Sequence, residues 1–245
     1  MTRSSPATIP RPRSLAALEH AIAACCLCPR LVAHREEVAR VKRRAFRGET
    51  YWGRPVPGFG DPRAALLVLG LAPAAHGANR TGRMFTGDSS GEWLYAALHR
   101  HGFANRPAST ARGDGLELAG AFVTASARCA PPGNRPAPDE LAACRPYLAA
   151  ELRLLPRVRL VLALGAIAWE TALAQLSSAG ATIPRPRPRF GHLAEFVPGA
   201  GPRLLGSYHP SRQNTQTGKL TRAMFDAAFR RAREILNARG AGSRS

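Results

Sequence analysis

Three short stretches of this chain carry residue types that do chemistry rather than build a core. The first runs Gly70-Leu71-Ala72-Pro73-Ala74-Ala75-His76-Gly77 and on through Asn79 to Phe85-Thr86-Gly87-Asp88. Asp88 is its only carboxylate, and Phe85 is an aromatic in a glycine-flanked loop with little core to join. The second, Arg128-Cys129-Ala130-Pro131-Pro132-Gly133-Asn134-Arg135-Pro136, offers Asn134. The third runs Tyr208-His209-Pro210-Ser211-Arg212-Gln213-Asn214 to Gly218. A carboxylate can hold a water or face a developing cation, and an imidazole can donate a hydrogen bond to developing negative charge. The competing role for Asp88 is an N-cap on a helix starting at Ser89 or Ser90.

Five cysteines form a second set. Cys25 and Cys28 are spaced C-x2-C, and Cys129 and Cys144 are spaced C-x14-C. Four thiolates in two groups can wrap a tetrahedral ion or an iron–sulfur cluster, and the spacing does not choose between zinc and a cluster. Cys26 can stand in for Cys25. Buried free thiols packing as small hydrophobes are the remaining alternative.

The elements that must position these residues follow from apolar runs. Ala64–Leu69, Ala121–Ser126, Leu160–Leu164 and Arg203–Tyr208 read as buried strands, and each chemical stretch leaves or ends one of them. Helices are expected near 15–25, from Pro29 to about Arg44, over 92–101, from Asp139, over 166–176 and over 220–236. The second should show an apolar face of Leu31, Val38 and Val41 and a basic surface including Arg35, Lys42, Arg43 and Arg44. Residues 46–62 and 104–118 read as loops, and 193–197 as an edge strand. Strands alternating with helices predict an α/β fold, a three-layer α/β/α sandwich, whose ligands sit beyond the carboxyl ends of the strands. Residues 1–13 read as a flexible basic tail, 14–237 as one domain and 238–245 as a second flexible tail.

Composition bounds the partner. There are 35 Lys and Arg against 16 Asp and Glu, a formal net charge of +19. That excess points to a polyanion, nucleic acid ahead of an anionic membrane surface. No apolar run is long enough to span a bilayer, and residues 1–13 lack the apolar centre of a signal peptide. A cytoplasmic location is therefore expected, with thiols free or metal-bound. The Gly70–Asp88 loop lacks the Gly-Lys-Ser/Thr ending of a phosphate-binding loop, and clustered metal-binding carboxylates are missing too. Nucleotide or phosphoester hydrolysis is accordingly disfavoured.

Taken together, the three stretches and the cysteine pattern resemble the uracil-DNA glycosylase superfamily, and within it the family 5 (type b) enzymes. The resemblance extends from about Cys25 to Leu236. It implies a central four-stranded, mainly parallel sheet, a [4Fe–4S] cluster on Cys25, Cys28, Cys129 and Cys144, and hydrolysis of the bond joining a damaged base to deoxyribose in DNA. Uracil would be one such base, and the protein would act as a monomer without a membrane partner. On that pattern, His209 stabilises charge on the departing base, and Phe85, Gly70 and Ala72 form the base platform. Asp88 serves the water or the sugar cation, with Asn134 a second candidate and His76 and Asn79 weaker ones. Ser211, Arg212, Gln213 and Asn214 would contact or enter the duplex.

Two departures from the pattern bear on specificity. Ala72 stands where many relatives keep a polar water-holding residue, which moves that task to Asp88. Ala125 follows Thr124 where related iron–sulfur glycosylases often carry an Asn that reads uracil's edge, which implies a broader pocket. The three stretches contain no lysine before Lys219, so a Schiff-base step is not expected and the enzyme would be monofunctional. The rival from another class is a non-catalytic, zinc-stapled DNA-binding module.

Overall fold

The computed structural model describes residues 11–238. The expected tails fall largely outside that range. Four strands form the centre: β2 (Leu66–Gly70), β3 (Ala121–Ala125), β4 (Leu160–Leu164) and β6 (Arg203–Ser207). All four pair in parallel, in the order β3-β2-β4-β6. Every residue of β2, β3 and β4 is buried, as expected for parallel strands covered on both faces.

The sheet has six strands, not four. Two-residue edge strands, β1 (Phe59–Gly60) beside β3 and β5 (Glu195–Phe196) beside β6, add antiparallel pairs at its margins. β1 falls in a stretch expected to be a loop, and β5 within the expected edge strand. Neither is long enough to show an alternating pattern.

Alternation within the strands divides the core. Leu66, Val68, Val123, Leu162 and Leu205 face α4 (Ser89–Arg100) and α8 (Arg222–Ala238), meeting Leu94, Leu98, Phe225 and Phe229. Leu67, Leu69, Phe122, Val161 and Leu204 face the other way, toward α5 (Pro138–Leu154) and α6 (Ala166–Ser178), meeting Leu148, Trp169 and Leu173. The α/β/α layering is as the sequence predicts.

At the amino-terminal side, α1 (Leu15–Ala23) packs Leu18 and Ile22 on Tyr147 and Ala150 of α5. α2 (Pro29–Val41) stops short of Arg44, and its faces differ from expectation. Val41 is exposed, while Arg35, expected on the basic surface, is buried. Two short helices also sit inside the chemical loops: α3 (Ala78–Thr81) in the first and α7 (Arg212–Gln216) in the third. No helix among the described residues is long and apolar enough to cross a membrane.

Candidate active site

Chain order reverses across the sheet between β2 and β4, so the loops leaving their carboxyl ends diverge and open a crevice. Gly70 ends β2 there. A Cβ at 70 would stand 2.6 Å from Phe85 Cζ and 2.7 Å from Cε2, so a glycine is what lets the Phe85 ring lie on the strand end. Phe85 itself has φ +54°, a left-handed backbone that costs a non-glycine residue about 1–3 kcal/mol. Its ring centre is 5.9 Å from that of His209, with 30° between the planes. His209 follows β6 and lies beside Gly165 at the end of β4, where a Cβ would stand 3.5 Å from the His209 Cβ. Phe85 and His209 thus share one crevice.

The turn after β2 is fixed through its backbone. The Gly70 carbonyl accepts from Ser126 N–H at 2.9 Å and Ser126 Oγ at 3.0 Å, and the Leu71 carbonyl accepts from Ala127 N–H at 2.9 Å. Ala72, half-buried just beyond, offers no polar side-chain atom.

Electrostatics distinguish the two titratable groups. Burial alone pushes the His209 imidazole down to about 4, so it is neutral at physiological pH. A neutral imidazole keeps one N–H to donate. Burial pushes the Asp88 carboxyl above its ordinary value, opposed by the N–H groups of Gly91 and Ser90 and, more weakly, by the Arg212 guanidinium. Asp88 does cap α4, Oδ1 accepting from Gly91 N–H at 2.9 Å. Its Oδ2 stands where a side chain on Gly77 would be, 2.3 Å from that notional Cβ. Capping engages Oδ1, and Oδ2 is turned over the glycine loop.

The remaining expected residues separate. Ser211 caps α7, Oγ accepting from Asn214 N–H at 3.4 Å, and Asn214 Nδ2 donates to the His209 carbonyl at 2.9 Å. Both hold the His209 loop, while Arg212 and Gln213 are exposed. Asn134 is exposed in a left-handed turn, φ +56°. His76 Nδ1 is 3.1 Å from Tyr51 Oη, and its pKa is lowered by burial and then by Arg43, Arg80 and His34. Asn79 is fully buried and donates to the Arg35 carbonyl at 3.2 Å, which makes it part of the loop's frame.

A family model of the uracil DNA glycosylase superfamily matches residues 57–233. A type-5 uracil-DNA glycosylase of Mycobacterium tuberculosis is 56% identical over 223 residues, covering 91% of this chain and 82% of that protein. One of Thermus thermophilus is 54% identical over 214 residues, covering 87% and 94%. The chain belongs to the type-5 uracil-DNA glycosylases. A type-4 uracil-DNA glycosylase of Pyrobaculum aerophilum is 36% identical over only 118 residues, 48% of this chain and 52% of that protein.

In this type-5 chain Cys129 and Cys144 are buried, and Cys25 and Cys28 half-buried. Burial pushes the Cys28 thiol up to about 11, helped by the charges of Cys144 and Cys25. Burial likewise pushes Cys129 up to about 12, against Arg35 and with Cys144 and Cys25. Cys26 is exposed, and Cys25 is the residue whose charge reaches Cys28, Cys129 and Cys144. Arg35 Nη1 donates to Cys129 Sγ at 3.2 Å and to the Cys25 carbonyl at 3.1 Å. Arg30 on α2 grips Glu140 on α5 through two bonds of 2.8 and 2.7 Å, tying together the helices that carry Cys28 and Cys144. Among the described residues no three His, Cys, Asp or Glu side chains close on a single point as one metal ion requires.

Sequence reading missed Arg35, whose burial follows from its cysteine neighbours and not from helix periodicity. It also missed the buried pair Arg128–Glu151, bonded at 2.8 and 2.7 Å, with Thr124 Oγ1 donating to Glu151 at 2.8 Å. Their positions beside Cys129 and on the helix of Cys144 were the available signal.

Proposed function

We propose that this chain removes uracil, and other deaminated or damaged bases, from DNA by hydrolysing the N-glycosidic bond and leaving an abasic site. Membership in the type-5 family supports the reaction, and one observation carries the assignment of its machinery: Phe85 and His209 face one crevice at the strand ends, 5.9 Å apart. An extruded base stacks on Phe85. The neutral His209 donates to a base carbonyl as negative charge develops there, and being neutral it has a proton to share without carrying a competing charge. Asp88 faces the cationic sugar or holds the attacking water. The side chains of Ala72 and Ala125 carry no hydrogen-bonding group that would reject a base other than uracil, which supports a tolerant pocket. Asn134 remains a reserve contact to the DNA or the base.

Cys25, Cys28, Cys129 and Cys144 hold a [4Fe–4S] cluster on this reading. The four-thiol donor set and the Arg35 donor beside Cys129 support it, with zinc as the alternative occupant of the same thiols. Such a cluster would staple the amino-terminal helices to the sheet. Every step of the chemistry is left to Phe85, Asp88 and His209. The protein acts as a cytoplasmic monomer on DNA, in a compartment where thiols stay reduced.

A uracil-containing duplex incubated with the protein and then treated with alkali should break at the uracil; intact strands across mismatched and single-stranded substrates would sink the activity. Brown protein with broad visible absorbance, lost on iron chelation, is the expected mark of the cluster, and colourless zinc-bearing protein would overturn it. Comparing uracil, hypoxanthine, xanthine and an adducted cytosine tests the pocket's tolerance.

A further inference from the structure

Phe85 meets His209 from a backbone conformation that a ring-bearing residue keeps only where its surroundings hold it. Both of its chain neighbours are tied down. Tyr95, fully buried on α4, donates to the Met84 carbonyl at 2.6 Å. Thr86 Oγ1 donates to that carbonyl at 3.3 Å and lies 2.6 Å from Ser109 Oγ. Ser109 Oγ accepts from Arg83 Nη1 at 3.0 Å, and the same nitrogen donates to Asp114 Oδ1 at 2.7 Å. Arg83 and Asp114 are both withdrawn from solvent, and the Arg83 guanidinium rests over the Phe59 ring at 4.6 Å.

The loop that supplies Ser109 is itself closed on Asp114. Its Oδ2 accepts from Thr110 N–H at 2.8 Å and Ala111 N–H at 3.3 Å, and its Oδ1 from Leu116 N–H at 3.0 Å. Burial raises this carboxyl, but Arg83 and the three N–H groups outweigh burial and hold it well below the usual carboxylate range. Gly91 completes the seat. A Cβ there would stand 1.7 Å from the Phe85 carbonyl oxygen, so α4 passes beneath Phe85 only as glycine.

We infer that Arg83, Ser109 and Asp114 are positioning residues for Phe85. They form a polar relay through which the loop between α4 and β3 holds the ring over the strand end and sets how firmly an extruded base is gripped. The relay touches Phe85's neighbours and not the crevice, so it acts through the ring. The inference rests on the glycosylase reading for its substrate but not for its geometry.

Ser109→Ala removes the hydroxyl, and Ser109→Thr keeps it. In protein carrying fluorinated phenylalanine, with the Phe85 signal assigned by its loss in Phe85→Leu, Ser109→Ala should move or broaden that signal and Ser109→Thr should restore it. On a uracil-containing duplex, Ser109→Ala should lower kcat/KM about threefold to tenfold, the size of one lost hydrogen bond. It should cost nothing further in a Phe85→Leu background, and affinity for an abasic duplex should hold. Asp114→Asn, which weakens the Arg83 pair, should give the same signature more strongly. An unmoved Phe85 signal, or losses that multiply with Phe85→Leu, overturns the proposal. Wild-type protein inert on uracil overturns the glycosylase reading instead, and the fluorine signal still decides this one.

Discussion

Asp88 is a cap and, on our reading, a participant in the reaction, and one substitution separates the two. Asn caps a helix as well as Asp does but carries no charge, so Asp88→Asn should fold normally and lose excision rate. A fully active Asp88→Asn would leave capping as its whole role. His209→Ala should reduce single-turnover excision by about 10²–10³-fold, the effect of removing one preorganised donor, while still binding an abasic duplex. Burial also gives His209 a definite effect on stability. Its pKa falls from 6.5 to about 4 on folding, so the unfolded chain binds more protons between those values. The contribution is complete above about pH 6.5 and is lost as pH falls toward 4. Acid titration of urea stability should therefore be shallower in His209→Gln, and matching slopes would contradict the buried, neutral imidazole. That Asp88, Phe85 and His209 stand in loops at the strand ends was legible in the sequence, because glycine and proline punctuate those stretches; that Phe85 also packs against the core was not. Arg35 was not, because its exposure was inferred from helix spacing while its partners lie on other elements.

At the scale of elements, the central strands were legible because burial on both faces writes a continuous apolar run. β1 was not, since two residues carry no period, whereas β5 falls within the edge strand expected over 193–197. α3 and α7 were hidden in the same way, as single turns inside loops read as irregular. The buried Arg128–Glu151 pair joins the end of β3 to α5, and Thr124 and Arg128 meet Glu151 where both side chains are 1% exposed. Removing the acid strands a guanidinium in the interior, so Glu151→Ala should cost about 3–5 kcal/mol, read from urea unfolding. A loss below 1 kcal/mol would mean that water reaches the site.

Over the whole molecule, part of the positive charge that suggested a polyanionic partner is used internally. Arg35, Arg80, Arg83 and Arg128 bind carboxylates, carbonyls or a thiol inside the fold. Formal net charge alone therefore overstates the surface offered to DNA, and exposed residues such as Arg212 matter more than the total. Replacing Arg212 with Gln should flatten the dependence of log affinity on log salt by about one phosphate contact, a slope change near 0.9. An unchanged slope would place Arg212 off the backbone. The cysteine pairs have a consequence in time. Cys25 and Cys28 lie in the connection between α1 and α2, whereas Cys129 and Cys144 come from the middle of the chain. At about 5–20 residues per second of synthesis, the first pair leaves the ribosome on the order of ten seconds before the second exists. For that interval a bare Cys-x2-Cys is open to oxidation or a stray metal, so if the four thiols hold the proposed cluster, protection of the nascent chain becomes a condition of making this enzyme correctly.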